Sequence, residues 1–157
     1  MKTKLILLAA LFTLVSTSVS AQFYKPKKVA ITEVVDKSGE VNDGTKTFIR
    51  IALTDAITNS DGYVGFDSIS FVSLLTNFDR TGHVTSAILS YVQKQGVDYI
   101  LVSEIMPLDK RRVVLSARIS RVPDGKIVAS SSATTIADID YLRSACDELC
   151  YKLVGAL

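Results

Sequence analysis

Histidine, cysteine, proline and tryptophan are scarce in this chain of 157 residues, which contains one His, two Cys, three Pro and no Trp. So few His and Cys residues provide few ligands for a zinc site, and no Cys-x-x-Cys spacing is present. His83 is the only candidate base for a Ser-His-Asp set, and the Gly-x-Ser-x-Gly pattern of many hydrolases is missing. We therefore expect no catalytic residue, no metal site and no cofactor.

An excess of charge of one sign is also missing. The chain has 18 Lys and Arg and 16 Asp and Glu, and two of its lysines, Lys2 and Lys4, lie in an N-terminal segment that we expect to be removed. The remaining chain then carries 16 residues of each sign, a net charge of zero. Proteins that bind nucleic acid normally have a basic excess, because they neutralise phosphates. We therefore expect no nucleic-acid partner.

No apolar run is long enough to span a membrane. The longest, Leu5 to Val15, has about 11 residues, whereas a transmembrane helix needs about 20. The positive Lys2 and Lys4 precede this run, and small residues ending at Ala21 follow it. This order of charged, apolar and small residues is typical of a secretory signal peptide.

The predicted signal peptide divides the chain into three parts. Residues 1–21 form the signal peptide, with cleavage between Ala21 and Gln22; residues 22–28 form a short leader; and residues 29–157 form one domain. No Cys follows the apolar run as a site of lipid attachment. We expect a periplasmic or secreted protein without a stable membrane anchor after cleavage.

Strand and helix patterns alternate in the first half of that domain. β-branched residues indicate buried strands, and apolar residues recurring at three and four indicate helices. The predicted elements are a strand at 29–35, a helix from Asn42 or Asp43 to Asn59, a strand at 63–66, and helices at about 69–78 and 83–95.

The second half begins with a predicted strand at 97–105, which ends at Pro107. An alternating pattern then predicts a strand whose buried side chains are Val113, Leu115, Ala117 and Ile119 and whose wet face carries Val114, Ser116, Arg118 and Ser120. The turn Pro123-Asp124-Gly125 predicts a hairpin with residues 126–135. A final helix has the apolar seam Ile139, Leu142, Cys146, Leu149 and Leu153.

These elements predict an α/β fold. Their order is β-α-β-α-α-β-β-β-α, which favours an α/β sandwich with a mixed sheet and the C-terminal helix docked on that sheet. Cys146 and Cys150 are four residues apart in this last helix. An even cysteine count in an exported protein suggests a disulfide, but one helical turn between the two side chains strains the required geometry. We therefore predict two buried, unbridged thiols.

Two short motifs have alternative explanations. Gly39 to Lys46 has the glycine spacing of a phosphate-binding loop, but Thr45 precedes Lys46 where that loop requires Lys first. A capped turn before a helix is the alternative. Asp67-Ser68-Ile69 looks like the acceptor for periplasmic O-glycosylation at Ser68, and helix capping explains it equally well.

The candidate partner-binding residues lie in the second half of the chain. Lys110, Arg111 and Arg112 form a basic turn between two predicted strands, and Ser116 and Arg118 lie on the wet face of the second strand. Such a turn can steer an acidic partner, and a strand edge left open by the sheet order can pair with another chain. A solvated turn without a partner is the alternative.

Several segments together resemble the CsgG/LpoB superfamily, which contains the curli secretion channel and activators of penicillin-binding proteins and is similar in fold to the N-terminal domain of TolB. The resemblance covers nearly all of the chain after residue 28. It rests on the segments 29–39, 63–67, 96–102 (Gly-Val-Asp-Tyr-Ile-Leu-Val) and 124–130 (Asp-Gly-Lys-Ile-Val-Ala-Ser), together with the helix that ends at Asn59.

This resemblance implies a non-enzymatic adaptor or assembly factor of the cell envelope of a Gram-negative bacterium. Such a protein binds an envelope protein partner or associates with itself. The chain departs from the named members because it lacks their lipidated Cys, and because residues 22–28 are shorter than the flexible tail of the synthase activators. A small periplasmic ligand-binding or hydrolytic protein is the alternative. A thermal shift with a nucleotide, a metal or a glycan would favour that alternative.

Overall fold

A mixed β-sheet forms the centre of this fold. The computed structural model describes residues 24–66 and 84–157. Ala21, Gln22, Ser68, His83 and the helix predicted at 69–78 therefore lie outside the described residues. The described elements are β1 (Lys27–Ile31), β2 (Val35–Asp36), α1 (Asp43–Thr58), β3 (Tyr63–Phe66), α2 (Ser86–Lys94), β4 (Tyr99–Pro107), β5 (Arg112–Arg121), β6 (Ile127–Ile136) and α3 (Ile139–Val154).

The strand order is β3-β1-β4-β5-β6, and β2 also pairs with β4. Strand β1 runs parallel to β3 and β4, and β2 runs parallel to β4. The pairings of β4 with β5 and of β5 with β6 are antiparallel. The prediction of an α/β fold with a mixed sheet is confirmed.

Helices cover both faces of the sheet. Buried residues of α1 and α3 pack with Val29, Ile31 and Leu101 in the larger core cluster, whereas Ile88 and Val92 of α2 pack with sheet residues in a smaller one. Neighbouring residues of a strand point to opposite faces, so β1 contributes to both clusters. The docking of the C-terminal helix on the sheet is confirmed. None of the helices in the described ranges has the length and apolar character needed to cross a bilayer.

The strand predicted at 29–35 is two strands in the structure. Ile31 pairs with Leu101 and Val35 pairs with Glu104. Three residues therefore separate the paired positions of β1 and β2, whereas only two separate their partners in β4. Thr32 in this connection is buried, and its N–H donates to the carbonyl oxygen of Leu101 at 3.0 Å. The apolar pattern correctly predicted burial but could not reveal the extra residue.

Helix α1 begins at the motif that resembles a phosphate-binding loop. The Asn42 side chain accepts a hydrogen bond from the main-chain N–H of Thr45 at 2.8 Å, and Lys46 forms an ion pair with Asp43 at 2.7 Å. An N-cap satisfies an N–H group that the first helical turn leaves without a partner. The segment thus has the geometry of a capped helix start.

Two predicted positions are wrong. Ser120 is buried rather than on the wet face, being 2% exposed, and Ile139 is 61% exposed rather than part of the α3 seam. Helix α2 explains the burial of Ser120, because its residues pack around Ile100, which is paired with Ser120. Ile139 is the first residue of α3 and precedes the part of the helix that packs on the sheet.

Both cysteines are buried inside α3 and are unbridged, as predicted. The Sγ atom of Cys150 lies 3.8 Å from the carbonyl oxygen of Leu53 in α1. Burial raises the pKa of both thiols to about 12. Since the thiolate is the reactive form, these cysteines serve as packing groups between α1 and α3.

Candidate protein-binding surface

The turn between β4 and β5 places cations beside exposed apolar side chains. Met106 and Leu108 are each 51% exposed and Ile136, which is paired with Arg112, is 42% exposed. These residues and the basic turn are referred to below as the tip surface: Met106, Leu108, Lys110, Arg111, Arg112 and Ile136. Single exposed apolar residues are common, but a group of them at one end of a sheet is typical of an interaction site.

Asp109 holds the backbone of this turn in place. Its Oδ1 atom accepts hydrogen bonds from the main-chain N–H groups of Arg111 at 2.9 Å and Arg112 at 2.8 Å. Its Oδ2 atom accepts from Nε of Arg112 at 2.6 Å. The Leu108 N–H donates to the Arg112 carbonyl at 2.8 Å. Arg112 is therefore a structural part of the turn.

Lys110 and Arg111 differ from Arg112 in this respect. Neither side chain forms an ion pair with another residue in the ranges 24–66 and 84–157. Both residues are exposed, so their charges are solvated on a hydrogen-bonded turn. Such cations can engage an acidic group on another molecule without first breaking an ion pair within the described part of the chain.

Asp109 should titrate far below an ordinary carboxylic acid. The Arg111 main-chain N–H, and then the Arg112 side chain, lower the pKa of Asp109 to about 2. A lowered pKa means that Asp109 stabilises the turn above its usual pKa near 3.8 and loses this effect as the pH falls through about 2.

Carboxyl-carbon NMR of Asp109 should accordingly show a midpoint near pH 2. Arg112→Gln should raise that midpoint only in part, because the Arg111 N–H remains in place. A wild-type midpoint near 4, the value typical of an exposed aspartate, would contradict the geometry of this turn.

Ser116 and Arg118 lie on the face of β5 that α1 and α3 do not cover, and both are half-buried. They are paired with Ser132 and Ser130 of β6. These side chains line a depression of about 380 Å³, whose other lining residues are Val102, Glu104, Ala117 and Ser131. Ser116 is four residues from Arg112, a distance of about 13 Å along a strand. The structure thus places the predicted residues at two separate features, the turn that leads into β5 and the face of β5 that α1 and α3 do not cover.

The sequence did not predict the apolar part of the tip surface. Met106 lies near the end of β4 and Leu108 directly follows that strand, whose other apolar residues are mostly buried, so hydropathy alone cannot identify these two as exposed. Asp109 was also missed. In an Asx turn, the side chain of an Asp accepts a hydrogen bond from the main-chain N–H about two residues further along the chain. An Asp at the start of the turn between two predicted strands is a signal of this motif, so the role of Asp109 could have been predicted from the sequence.

Among the described residues, no group of three or more His, Cys, Asp or Glu side chains is placed to hold a metal ion. Glu33 lies beside Arg50, at 3.4 Å from its Nε. Burial, the largest single effect on Asp36, raises its pKa, but hydrogen bonds from Ser38 and Val41 together lower that pKa below its usual value. These carboxylates have structural partners.

Solved structures with a similar fold include three kinds of protein. PelC from Paraburkholderia phytofirmans, solved as a dodecamer, matches with a TM-score of 0.56 and 13% identity over 85% of this chain and 88% of that one. The C-terminal domain of LpoB from Salmonella enterica matches with a TM-score of 0.52 and 16% identity, over 70% of this chain and 82% of the LpoB chain. TolB from Acinetobacter baumannii matches with a TM-score of 0.52 and 12% identity, over 82% of this chain and 28% of the TolB chain.

The chain has an LpoB-like fold. The resemblance noted in the sequence is supported at this level, since PelC, LpoB and TolB share the architecture. No protein-family model and no curated protein sequence matches the chain. At such low identity the structural matches establish the fold alone, and the function of this LpoB-like domain has to be argued from its own surface.

Proposed function

We propose that the protein is a non-enzymatic adaptor or assembly factor of the cell envelope that binds an acidic protein partner through the tip surface. The observation that carries this proposal is the combination of two exposed cations, Lys110 and Arg111, with the exposed side chains of Met106 and Leu108. Apolar contacts supply most of the affinity of protein interfaces, and charges at their rim set the orientation and the rate of association.

The hydrogen bonding of the turn supports this role. The Asp109 hydrogen bonds and the antiparallel pairing of β4 with β5 fix the main chain on both sides of Lys110. A preformed surface loses less conformational entropy on binding than a flexible loop does. An LpoB-like fold and the predicted signal peptide are consistent with a periplasmic partner.

Site-specific photo-cross-linking tests the proposal. A photoreactive residue replaces Arg111 in the exported full-length protein, and the matched control carries it at Lys126, in the turn at the other end of the β5–β6 hairpin. We expect an acidic envelope protein to be captured from position 111 and not from position 126. Equal capture from both positions, or capture from neither, would contradict the proposal.

A small ligand-binding protein is a second candidate, and the depression beside Ser116 and Arg118 is the observation that favours it. Serine hydroxyls, an Arg and a Glu could hydrogen-bond a polar ligand there. A panel of nucleotides, metal ions and glycans in thermal-shift assays distinguishes the two functions. A shift that is lost in Arg118→Ala but kept in Lys110→Glu would support the ligand-binding function.

A further inference from the structure

The outer edge of β6 is unusually suited to pairing with another strand. β6 is the last strand in the sheet order, and it extends over ten residues from Ile127 to Ile136 without a charged residue or a proline. Edge strands of monomeric proteins are normally protected by Lys, by Pro, by short length or by a bulge that turns the edge away. The register shift between β5 and β6 lies at Ile119 and Ser120, near the start of β6, so the rest of the edge follows a regular ladder.

The direction of the main-chain groups of β6 follows from one hydrogen bond. The N–H of Ala137 donates to the carbonyl of Arg111 at 2.8 Å, so the main chain of Ala137 faces β5. Alternate residues of an antiparallel strand face the same neighbour. The N–H and C=O groups of Ser130, Ser132 and Thr134 therefore point away from β5, and these three residues are exposed.

The opposite edge of the sheet is built differently. β3 has only four residues, and the N–H of Gly65 donates to Oγ1 of Thr58 in α1 at 3.0 Å. A side chain of the domain thus occupies a polar group that a new strand would need at that edge. Of the two outer strands in the described sheet, β6 has the longer edge.

We propose that β6 pairs antiparallel with β6 of a second copy of this chain, across a two-fold axis at Ser132. In this register Ser132 lies opposite Ser132 of the second copy, and Ser130 lies opposite Thr134. The pairing forms about six main-chain hydrogen bonds and extends the sheet through both molecules. Hydroxyl residues that face each other across strands can also bond to one another.

Charge selects this register and this partner. The axis at Ser132 places Lys126 of one copy opposite Asp138 of the other, and opposite charges that face each other across strands attract. A shift of the axis to Ser130 or to Thr134 leaves each of these charges opposite an uncharged residue. At Ser132 every facing pair in the segment 130–134 is uncharged and small, so nothing in that segment repels its own copy. A two-fold interface of this kind is self-complementary and closes as a dimer.

Helix α3 lies beside the same edge and can widen the interface. Oγ1 of Thr135 donates to the carbonyl of Tyr141 at 3.2 Å, which fixes the first turn of α3 next to β6. Tyr141 is 56% exposed. Aromatic residues are enriched at protein interfaces, so the two copies of Tyr141 add apolar contact area beyond the hydrogen bonds.

Oxidative cross-linking tests both the dimer and its register. Ser132→Cys places two thiols opposite each other at about 5.5 Å between Cα atoms, within disulfide range, whereas two copies of Ser130→Cys lie about 13 Å apart. We expect the S132C protein to form a covalent dimer and the S130C protein to stay monomeric under mild oxidation. An equimolar mixture of S130C and T134C should cross-link, because these positions face each other. The buried Cys146 and Cys150 remain in all variants as silent groups.

Each other outcome overturns the proposal. Cross-linking of S130C alone shows a different register, and equal cross-linking of S130C and S132C shows random collision. Failure of S132C to cross-link, together with a monomer mass in light scattering at high concentration, shows that β6 does not pair with a second copy. None of these variants alters Lys110 or Arg111, so the result is independent of partner capture at the tip surface.

Discussion

Reversal of two charges, in the variant Lys110→Glu/Arg111→Glu, is expected to weaken capture of the envelope partner by about tenfold or more at low salt while leaving the stability of the domain unchanged. The physical reason is that neither side chain forms an ion pair within the described residues, so no such contact is lost when they change. An acidic partner, in contrast, meets repulsion where it had attraction. Affinity by calorimetry and chemical denaturation of both proteins provide the measurement.

The matched control moves the same charge change to the other end of the sheet. Lys25→Glu/Lys126→Glu alters exposed residues far from the tip surface and gives the same net charge. We expect this control to bind normally. If it binds as weakly as the tip variant, net charge decides the affinity and the tip surface is not the site.

Salt gives a second check on the same variant. The Debye length falls from about 10 Å at 0.1 M to about 3 Å at 1 M, so the difference between wild type and variant should shrink as salt is added. Arg112→Glu is expected to behave differently, because it places a second carboxylate beside Asp109 and disturbs the turn itself. Loss of binding in that variant reports on turn geometry.

Gly65→Ala is expected to destabilise the domain by about 1–3 kcal/mol, even though Gly65 lies in a strand and needs no unusual backbone conformation. A Cβ atom at this position would lie 2.6 Å from the carbonyl oxygen of Thr54 and 2.9 Å from Oγ1 of Thr58. The oxygen of Thr54 belongs to the main chain of α1 and cannot rotate away. Urea denaturation should show a lower midpoint with an unchanged slope.

A second variant identifies the cause of this effect. The methyl carbon of Thr54 lies 3.0 Å from the same position, and Thr54→Ser removes it while keeping the main-chain oxygen. We expect Thr54→Ser/Gly65→Ala to remain destabilised relative to Thr54→Ser. Recovery of stability in the double variant would show that the side chain, and not the main chain of α1, prevents a residue larger than Gly.

Periodicity in the sequence was sufficient to predict most of the described elements. The alternation in β5 and the spacing of three and four residues in α3 correctly identified Leu115, Ile119, Cys146 and Leu149 as buried. The first helix was predicted to begin at Asn42 or Asp43, and Asn42 is its N-cap. These features depend on local geometry, because strand and helix repeats are short compared with the segments that display them. The buried, unbridged cysteines followed from the same helical spacing.

Features that depend on contacts between distant segments could not be predicted in this way. Ser120 is buried because α2 covers that part of the sheet, and Gly65 is required because β3 passes close to α1. The split of the first strand results from its register with β4. In each case the contact involves a residue of another element, and the local sequence pattern contains no information about how close that element lies.

The same distinction between local and long-range features applies to the candidate surfaces. The sequence by itself determined that a basic turn joins two strands, that neither sign of charge is in large excess and that His and Cys residues are scarce. Only the tertiary structure decided that Asp109 bonds to the Arg112 side chain while Lys110 and Arg111 stay solvated, and that β6 is the longer of the two edge strands in the described sheet. The reason is physical: a side chain's charge is fixed by its chemistry, but its exposure and its partners are fixed by which distant elements pack against it.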